Sequence, residues 1–529
     1  MEKKSKLNKL ERLKESLKPK DYDITKADFN NLSEDDRFYL KNYGIYNIKL
    51  NPNFFMLRVR VDGKKIKGSH FKSLLLVAKE FDLKVLLTAR GGIELHKIEP
   101  KDILKVYNLV KELKFNTHQT LTDNVRNIVI DPYDGISTDS KIDSYKIAQE
   151  IQKELLDNQK YFGMIPRKFN CAIIGTSKPL INYWGNDLLF ALAKDNSVYG
   201  FNVYVGGKNS ESAKSLNLFI KPTYVKELFF AILDIFIEYG LRGSRAKTRL
   251  FYLIEKIGIN SFRDLVLKRV NFKIENEQEL LMSSSNYKDA YTNKIECYYG
   301  EVNINRALDI LDDSIYLRVG VDQNLHIISN NLSKNNKALV VGCAGARYCP
   351  LSLWDIKNDI KELNLDIFLD EGVDIGFSGC LKGCGRHHHN HIGLVGLRTN
   401  MFGPTQKALR VFIGATQSPK PTPARLLYYA VPINRVELLF KDIINEYKLK
   451  DYKDFNEFNN HLLQFEIETL QLWFILRGLI KLDNNLVELF HSDNSNDRLI
   501  EALKKLDIYP KDKELYEAIN ILSHKLWDN

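Results

Sequence analysis

The densest chemistry in the chain lies in two short stretches. KALVVGCAGARYCP (337–350) carries Cys343 and Cys349 with five residues between them, and VDIGFSGCLKGCGRH (373–387) carries Cys380 and Cys384 with three between. In each, an apolar run leads into a glycine-rich turn, so four thiolates sit at the ends of two strands. Such turns can wrap a compact inorganic core, because their glycines allow close backbone approach and offer N–H groups to sulfide. An iron–sulfur cluster suits that set. Structural zinc is the rival, although its paired cysteines favour about two to four intervening residues. Four inert, buried thiols are the bland alternative. Cys171 and Cys297 stand alone.

The second chemically informative set is cationic. Arg58 and Arg60 alternate along one stretch, Arg90 precedes Gly91-Gly92, and Arg126 follows Asp123-Asn124-Val125. Arg167 and Lys168 follow Pro166, and Arg245, Lys247 and Arg249 alternate in GSRAKTRL. Any one of them alone reads as surface charge. Together they suit a polycarboxylate ligand and a small oxyanion, since arginine grips carboxylates with two parallel donors and lysine supplies a compact, proton-donating charge. The formal charge of +10 agrees with an anionic substrate, an anionic cofactor or an acidic protein partner, and equally with plain solubility. No nucleic-acid module signature accompanies the basic residues, so no nucleic-acid partner is expected.

These residues need a scaffold. At 529 residues the chain calls for two or three domains. Its 44% hydrophobic and 27% charged residues are ordinary for a globular protein. No apolar run of about 18 residues predicts a membrane span. The N-terminus is basic without a following apolar stretch, so no secretory signal is read and a cytoplasmic location is expected. Six cysteines are too few for a disulfide framework.

NFFMLRVRVD (53–62) alternates as a strand, KVLLTARGGIELH (84–96) reads as strand, turn and strand, and PKDILKVYNLVKEL (100–113) has helical periodicity. KFNCAIIG (168–175) and GFNVYVGG (200–207) read as strands, and TYVKELFFAILDIFIEYG (223–240) as an amphipathic helix ending at glycine. LSLWDIKNDIKEL (351–363) is expected to continue as a helix after Cys349. Residues 1–20 read as a solvated Lys/Glu-rich helical arm, and 451–529 as a helical appendage without metal ligands.

A faint repeat runs through the chain. FMLRVRVD (55–62) resembles IYLRVGVD (315–322); FNVYVGGK followed by PTYVKELFF resembles LRVFIGAT followed by PINRVELLF. The matched order implies a duplicated α+β half.

Taken together, the Cys-x5-Cys and Cys-x3-Cys pairs, FMLRVRV, LTARGGIELH, DNVRNI, PRKFN, GFNVYVGG and SRAKTRL resemble, in order, the siroheme-dependent nitrite/sulfite reductase hemoproteins. The resemblance covers about residues 50–450. It implies an α+β, pseudo-twofold duplicated nitrite/sulfite reductase fold, with ferredoxin-like half-domains, two larger α/β siroheme/4Fe–4S domains and a C-terminal helical appendage. The layout it suggests is a charged helical arm (1–40), a first ferredoxin-like half-domain (41–120) and a first siroheme-binding domain (121–275). A second half-domain (276–335), a second domain with the cluster cysteines (336–450) and a helical extension (451–529) complete it.

The resemblance further implies that Cys343, Cys349, Cys380 and Cys384 ligate a 4Fe–4S cluster, with Cys384 also the axial ligand of siroheme. Arg90, Arg126, Lys168 and Asn170 would ring the substrate. Arg58, Arg167, Arg245, Lys247 and Arg249 would neutralise siroheme carboxylates. Sulfite reductases of the family resemble Pro-Arg-Lys-Phe-Lys at 166–170. Asparagine at 170 resembles the ferredoxin-dependent nitrite reductases and suits a monoanion, so nitrite is expected and sulfite is the alternative. The chain departs from the family at Gly91, at Leu381-Lys382 between the last two cysteines, and over Ile128–Asp134. His387, His388, His389 and His391 resemble a metal tract but are read as packing and polar groups.

GFNVYVGGK is not a Gly-x-Gly-x-x-Gly dinucleotide fingerprint, so electrons are expected from ferredoxin or another small electron-donor protein, and the chain is expected to be a monomer. A zinc protein and an oxyanion- or nucleic-acid-binding module are the rival classes. Both predict a colourless protein.

Overall fold

The computed structural model describes residues 7–283, 290–291, 294–328, 334–335, 338–417, 421–492, 495–506, 509–510 and 512–528. The chain divides into two compact units. One comprises Met1–Ser285 with Tyr291–Lys334, the other Asn286–Ala290 with Asn335–Asn529.

The first unit contains two small antiparallel sheets that share a core. One orders the strands Ile45–Ile48, Asn51–Val59, Ile93–Ile98 and Lys84–Leu87. The other orders Lys294–Ile295, Leu325–Ile327, Tyr316–Val319 and Ile66–Lys67. The last of these belongs by sequence to the first copy of the repeat, yet it pairs Ile66 with Leu317 of the second. Phe71, Leu74 and Leu75 of helix Gly68–Glu80 and Val106 and Val110 of helix Ile103–Glu112 are buried together with Leu317 and Leu325. Two copies of one motif have thus become a single hydrophobic core, which neither could fill alone.

The copies place their shared arginine differently. Arg58 opposes Glu94 across its sheet, whereas Arg318 opposes His326. Arg318 is buried and spends its guanidinium on the carbonyls of Pro132 and Asp134. A side chain at Gly320, which stands where the first copy has Arg60, would strike Asp322 and His326 within 2.4 Å. That buried Asp322–His326 pair, bonded on to the hydroxyl of Tyr133, fills the second copy.

The third sheet of this unit orders Glu279–Leu280, Leu188–Asp195, Val198–Val205 and Lys214–Ile220, with Cys171–Ile174 parallel to Leu188–Asp195. Helix Val225–Tyr239, entered by a 3₁₀ turn at Pro222–Tyr224, buries Leu228, Phe229, Ile232 and Phe236 beside Phe190 and Val203.

The second unit repeats that plan. Val340–Gly342, Ile375–Ser378 and Ile392–Thr399 run parallel, and Gln406–Ile413 and Arg425–Pro432 continue antiparallel. A 3₁₀ turn at Ile433–Arg435 then enters helix Val436–Leu449. The repeat read from short apolar strings is therefore a repeat of architecture, an α+β duplication. Among the described residues, five helices between Phe455 and Trp527 follow it. The most buried of them, Ile467–Leu479, lies along the last strand, where Gln471 donates to the Leu427 carbonyl and accepts from the Tyr428 hydroxyl.

Two expectations need correction. The helix expected over 351–363 shrinks to one turn at Ile356–Asp359 and a 3₁₀ turn at Ile360–Glu362. The preceding residues are drawn inward because Trp354 is fully buried, with its indole N–H on the Leu397 carbonyl and its own carbonyl on Ala346. The N-terminal arm is not solvated either. It forms helix Lys9–Ser16, in which Glu11 and Lys14 are buried.

Candidate functional site

Each unit gathers one set of the residues singled out above. In the first unit the organising element is the segment 119–128, which threads between the sheets without regular structure. Gln119 and Thr122 take positive φ there, a strained choice for side-chain-bearing residues that other contacts must hold in place. The holding group is the buried pair Arg60–Asp62. Arg60 donates to the carbonyls of Gln119, Val125 and Arg126, and Asp62 accepts from Ile128 N–H. Different partners thus separate two neighbouring arginines by role. Arg60 is structural, while Arg58 stays partly exposed against Glu94. Burial alone would raise the Glu94 carboxyl, but Arg58 and His96 outweigh it and hold it down to about 2.

Arg126 projects from this segment with its guanidinium on the carbonyls of Thr120 and Thr122. Its Nε is buried with no hydrogen-bond partner among the described residues. Its pKa lies well below the usual arginine range, first because it is buried and then because Arg58, Arg90 and Arg167 surround it. Glu94 beside Arg58 and Asp123 beside Arg167 offset part of this charge, and an anion joining the group would offset more.

Arg90 sits in the turn between Leu87 and Ile93, where Gly91 takes φ +63, and its guanidinium reaches Asn186 Oδ1 at 3.1 Å. Lys168 and Asn170 lie on the stretch that pairs Phe169 with Val125. Lys168 is half-buried. Asn170 is buried, and neither its Oδ1 nor its Nδ2 has a hydrogen-bond partner among the described residues. A buried carboxamide with both ends unsatisfied is rare in a finished interior and calls for a partner such as water, an ion or a ligand.

The remaining cations differ in what is left to them. Arg245 grips buried Asp123, with Arg167 3.8 Å from the same carboxylate. Arg249 makes a two-pronged pair with fully buried Asp187, at 2.8 and 2.7 Å, and also reaches the Gly207 carbonyl. Lys247 stands exposed on the 3₁₀ turn Arg245–Lys247. Sequence reading missed Lys14, whose ammonium lies 2.8 Å from Asp123. It also missed the linking roles of Asp187, Asn186 and Asn127. The helical spacing of Glu11 and Lys14 was the one available sign.

In the second unit the parallel pairing of Gly342 with Phe377 brings the two cysteine stretches out of adjacent strand ends. Cys343 N–H donates to the Phe377 carbonyl, and Gly379 N–H donates to Cys343 Sγ at 3.1 Å. A β-carbon at Gly379 would come within 1.8 Å of Ser352 Oγ, so only glycine permits this approach. Burial pushes the Cys343 thiol up to about 12, and Cys384 adds to the shift. Burial also raises Cys349, with Cys384 and Cys380 contributing. Cys384 therefore lies within electrostatic reach of Cys343 and Cys349, and Cys380 within reach of Cys349.

Cys384 is exposed and the other three half-buried, whereas Cys171 and Cys297 are buried elsewhere. Among the described residues no three His, Cys, Asp or Glu side chains form a group close enough to hold one metal ion. Ser378 braces the second turn, since its hydroxyl accepts from Gly385 N–H and meets His387 Nδ1. Burial holds His387 to about 3, hence neutral. His388 and His391 are likewise engaged by the protein, at the Ala424 carbonyl and at Asp374 N–H.

The model of the nitrite and sulphite reductase 4Fe-4S domain matches residues 121–274, and that of the nitrite/sulfite reductase ferredoxin-like half domain matches residues 48–113. The chain belongs to the nitrite/sulfite reductase family. It is an oxidoreductase, and the cofactors of its family are siroheme and a 4Fe–4S cluster. The two matched stretches hold every cation of the first set and none of the four cysteines. The family member ferredoxin–nitrite reductase of Leptolyngbya laminosa is 24% identical over 495 residues, covering 83% of this chain and 97% of its own. Sulfite reductase [ferredoxin] 1 of Mycolicibacterium paratuberculosis is 24% identical over 399 residues, covering 66% and 71%. The solved structure of the Mycobacterium tuberculosis NirA protein superposes with TM-score 0.73 at 19% identity, over 87% of this chain and 97% of that one. That likeness supports the fold.

The residues present fit both groups. The cysteines gather on glycine turns whose N–H groups already reach toward sulfur, as a thiolate-ligated cluster requires. The under-neutralised guanidiniums around Arg126 suit a polyanionic macrocycle and a small anion. Among the described residues no helix is long and apolar enough to cross a membrane.

Proposed function

We propose that this chain reduces nitrite to ammonia with electrons delivered by a ferredoxin. Arg58, Arg90 and Arg167 lying within electrostatic reach of Arg126, with the neutral Asn170 buried two residues from Lys168, is the observation that carries the reading. In this reading Cys343, Cys349, Cys380 and Cys384 hold the 4Fe–4S cluster, and Cys384 also ligates siroheme. Arg58, Arg167, Arg245 and Lys247 attract the macrocycle's carboxylates, with Arg249 bracing them through Asp187. The bound groups would supply an iron at which nitrite binds and a store of electrons passed to it one at a time.

The protein's own share is electrostatic. Arg90, Arg126 and Lys168 hold the oxyanion, stabilise charge as it develops on oxygen and deliver protons to the departing oxygens. The overall change takes six electrons and eight protons per nitrite, giving ammonium and two waters. The uncharged Asn170 leaves the pocket one cation short of what sulfite, with its greater negative charge, would favour.

Reduction of sulfite to sulfide with the same cofactors is the second reading, supported by the kinship with a ferredoxin-dependent sulfite reductase. Turnover of nitrite and of sulfite by the holoenzyme under one reduced ferredoxin decides between them. A higher kcat/KM for sulfite would overturn the nitrite assignment, and a colourless, iron-free protein would overturn both. The excess of positive charge suits docking of an acidic donor, in which case the KM for ferredoxin rises with ionic strength.

A further inference from the structure

We propose that Asn127 is a positioning residue that fixes the distance between Arg90 and Arg126. The inference rests on the reading of those two arginines as the cations that hold the substrate. Asn127 Oδ1 accepts from Val61 N–H and Asp62 N–H, both at 2.8 Å, at the end of the strand that carries Arg58 and Arg60. Its Nδ2 donates to the carbonyls of Arg90 and Gly91 at 3.0 and 3.1 Å. One carboxamide thus spends both acceptor sites and both donors on two pieces of backbone about 30 residues apart (Val61 and Arg90). A carboxylate could make only the first pair and a hydrocarbon neither.

Asn127 cannot itself drift. The carbonyl of Arg126 is held by Arg60 and the N–H of Ile128 by Asp62, so both flanking peptides are tied to a buried ion pair. The backbone of the turn that it grips is otherwise bonded within the turn: Arg90 and Gly92 N–H reach the Thr88 hydroxyl, Gly91 N–H the Thr88 carbonyl and Thr88 N–H the Gly92 carbonyl. Yet that turn must hold a guanidinium within electrostatic reach of like-charged Arg126, whose pKa is lowered first by burial and then by Arg58, Arg90 and Arg167. Unrestrained, the two loops would separate. A displacement of about 1 Å in such a pocket can cost about a hundredfold in rate.

The test is a double-mutant cycle on the holoenzyme, reading nitrite KM and kcat, heme and iron content, and thermal midpoint for Asn127→Asp, Arg90→Met and the pair. Asn127→Asp keeps the two acceptor bonds, so cofactor content is expected unchanged, with nitrite KM raised at least tenfold. Because Asn127 acts through Arg90, the double variant is expected within twofold of Arg90→Met alone. Multiplicative losses in the double variant overturn the inference while leaving the substrate reading standing, as does a wild-type KM in Asn127→Asp. An unaffected Arg90→Met overturns both. Should Asn127→Asp lose heme and iron, the residue holds the fold rather than the pair of arginines, and the inference fails.

Discussion

Lys14 Nζ lies 2.8 Å from Asp123 Oδ2, with both side chains withdrawn from solvent. This contact anchors the N-terminal helix to the segment that carries Arg126. Lys14 also donates to the Ile165 carbonyl and to Glu11, which in turn pairs with Arg242. Asp123 serves Lys14 and Arg245 at once. Lys14→Met leaves a buried carboxylate under-compensated and is expected to cost about 3 kcal/mol. Urea denaturation measures this. A shift in midpoint worth less than about 1 kcal/mol would show the helix to be dispensable.

Asp134 gives the protein a pH dependence. Burial raises its carboxyl to about 7, and nearby Asp131 adds to the shift, against hydrogen bonds from Gly175 N–H and the Ser140 hydroxyl. The folded pKa lies above the unfolded value near 3.8. The folded state therefore holds its proton longer, and the contribution to stability, full below pH 4, falls as pH rises toward 7. At about 1.4 kcal/mol per unit the loss is on the order of 4 kcal/mol. Asp134→Asn keeps the acceptor oxygen without the ionisation, so denaturation midpoints measured at pH 5 and pH 8 should differ less than in the wild type.

Lys168 offers a direct probe of the oxyanion reading. Removing one preorganised donor from such a site costs roughly a hundred- to a thousandfold in kcat. Lys168→Ala should lose turnover on that scale while its heme absorbance stays intact, and wild-type turnover in the variant would exclude the ammonium from the chemistry.

The cysteines divide into two classes by environment. Cys384→Ser or Cys343→Ser should abolish bound iron and acid-labile sulfide. Cys171→Ala should leave both unchanged, because that thiol is buried in strand Cys171–Ile174 and burial pushes its pKa well above the ordinary value. Iron and sulfide assays on the purified variants distinguish the classes.

The helical tail has a structural duty that can be tested separately. Between helix Ile467–Leu479 and strand Arg425–Pro432, the Gln471 side chain donates to the Leu427 carbonyl and the Gln471 carbonyl accepts from the Tyr428 hydroxyl. Arg425 donates to the carbonyls of Leu462 and Phe465. Ending the chain at residue 450 exposes the last strand of that sheet, an aggregation hazard. Light scattering of the truncated protein should rise where that of the full chain does not.

Much of this was legible in the residues. Alternation, helical periodicity and glycine turns located most strands and helices, since those patterns are local. The spacing of Cys343, Cys349, Cys380 and Cys384 pointed to a ligand set from the residues alone, because each pair is close in the chain. What the residues could not declare was the state of each cation. Arg249 is bound by Asp187, 62 residues away, and Arg245 by Asp123, 122 residues away. Arg60 is sealed beside Asp62, whereas Arg126 is left with little counter-charge. Lys14, read as solvated, is buried. Charge neutralisation depends on distance through space, which chain separation does not encode. Only the tertiary structure therefore decided which arginines spend their donors on buried carboxylates and which do not.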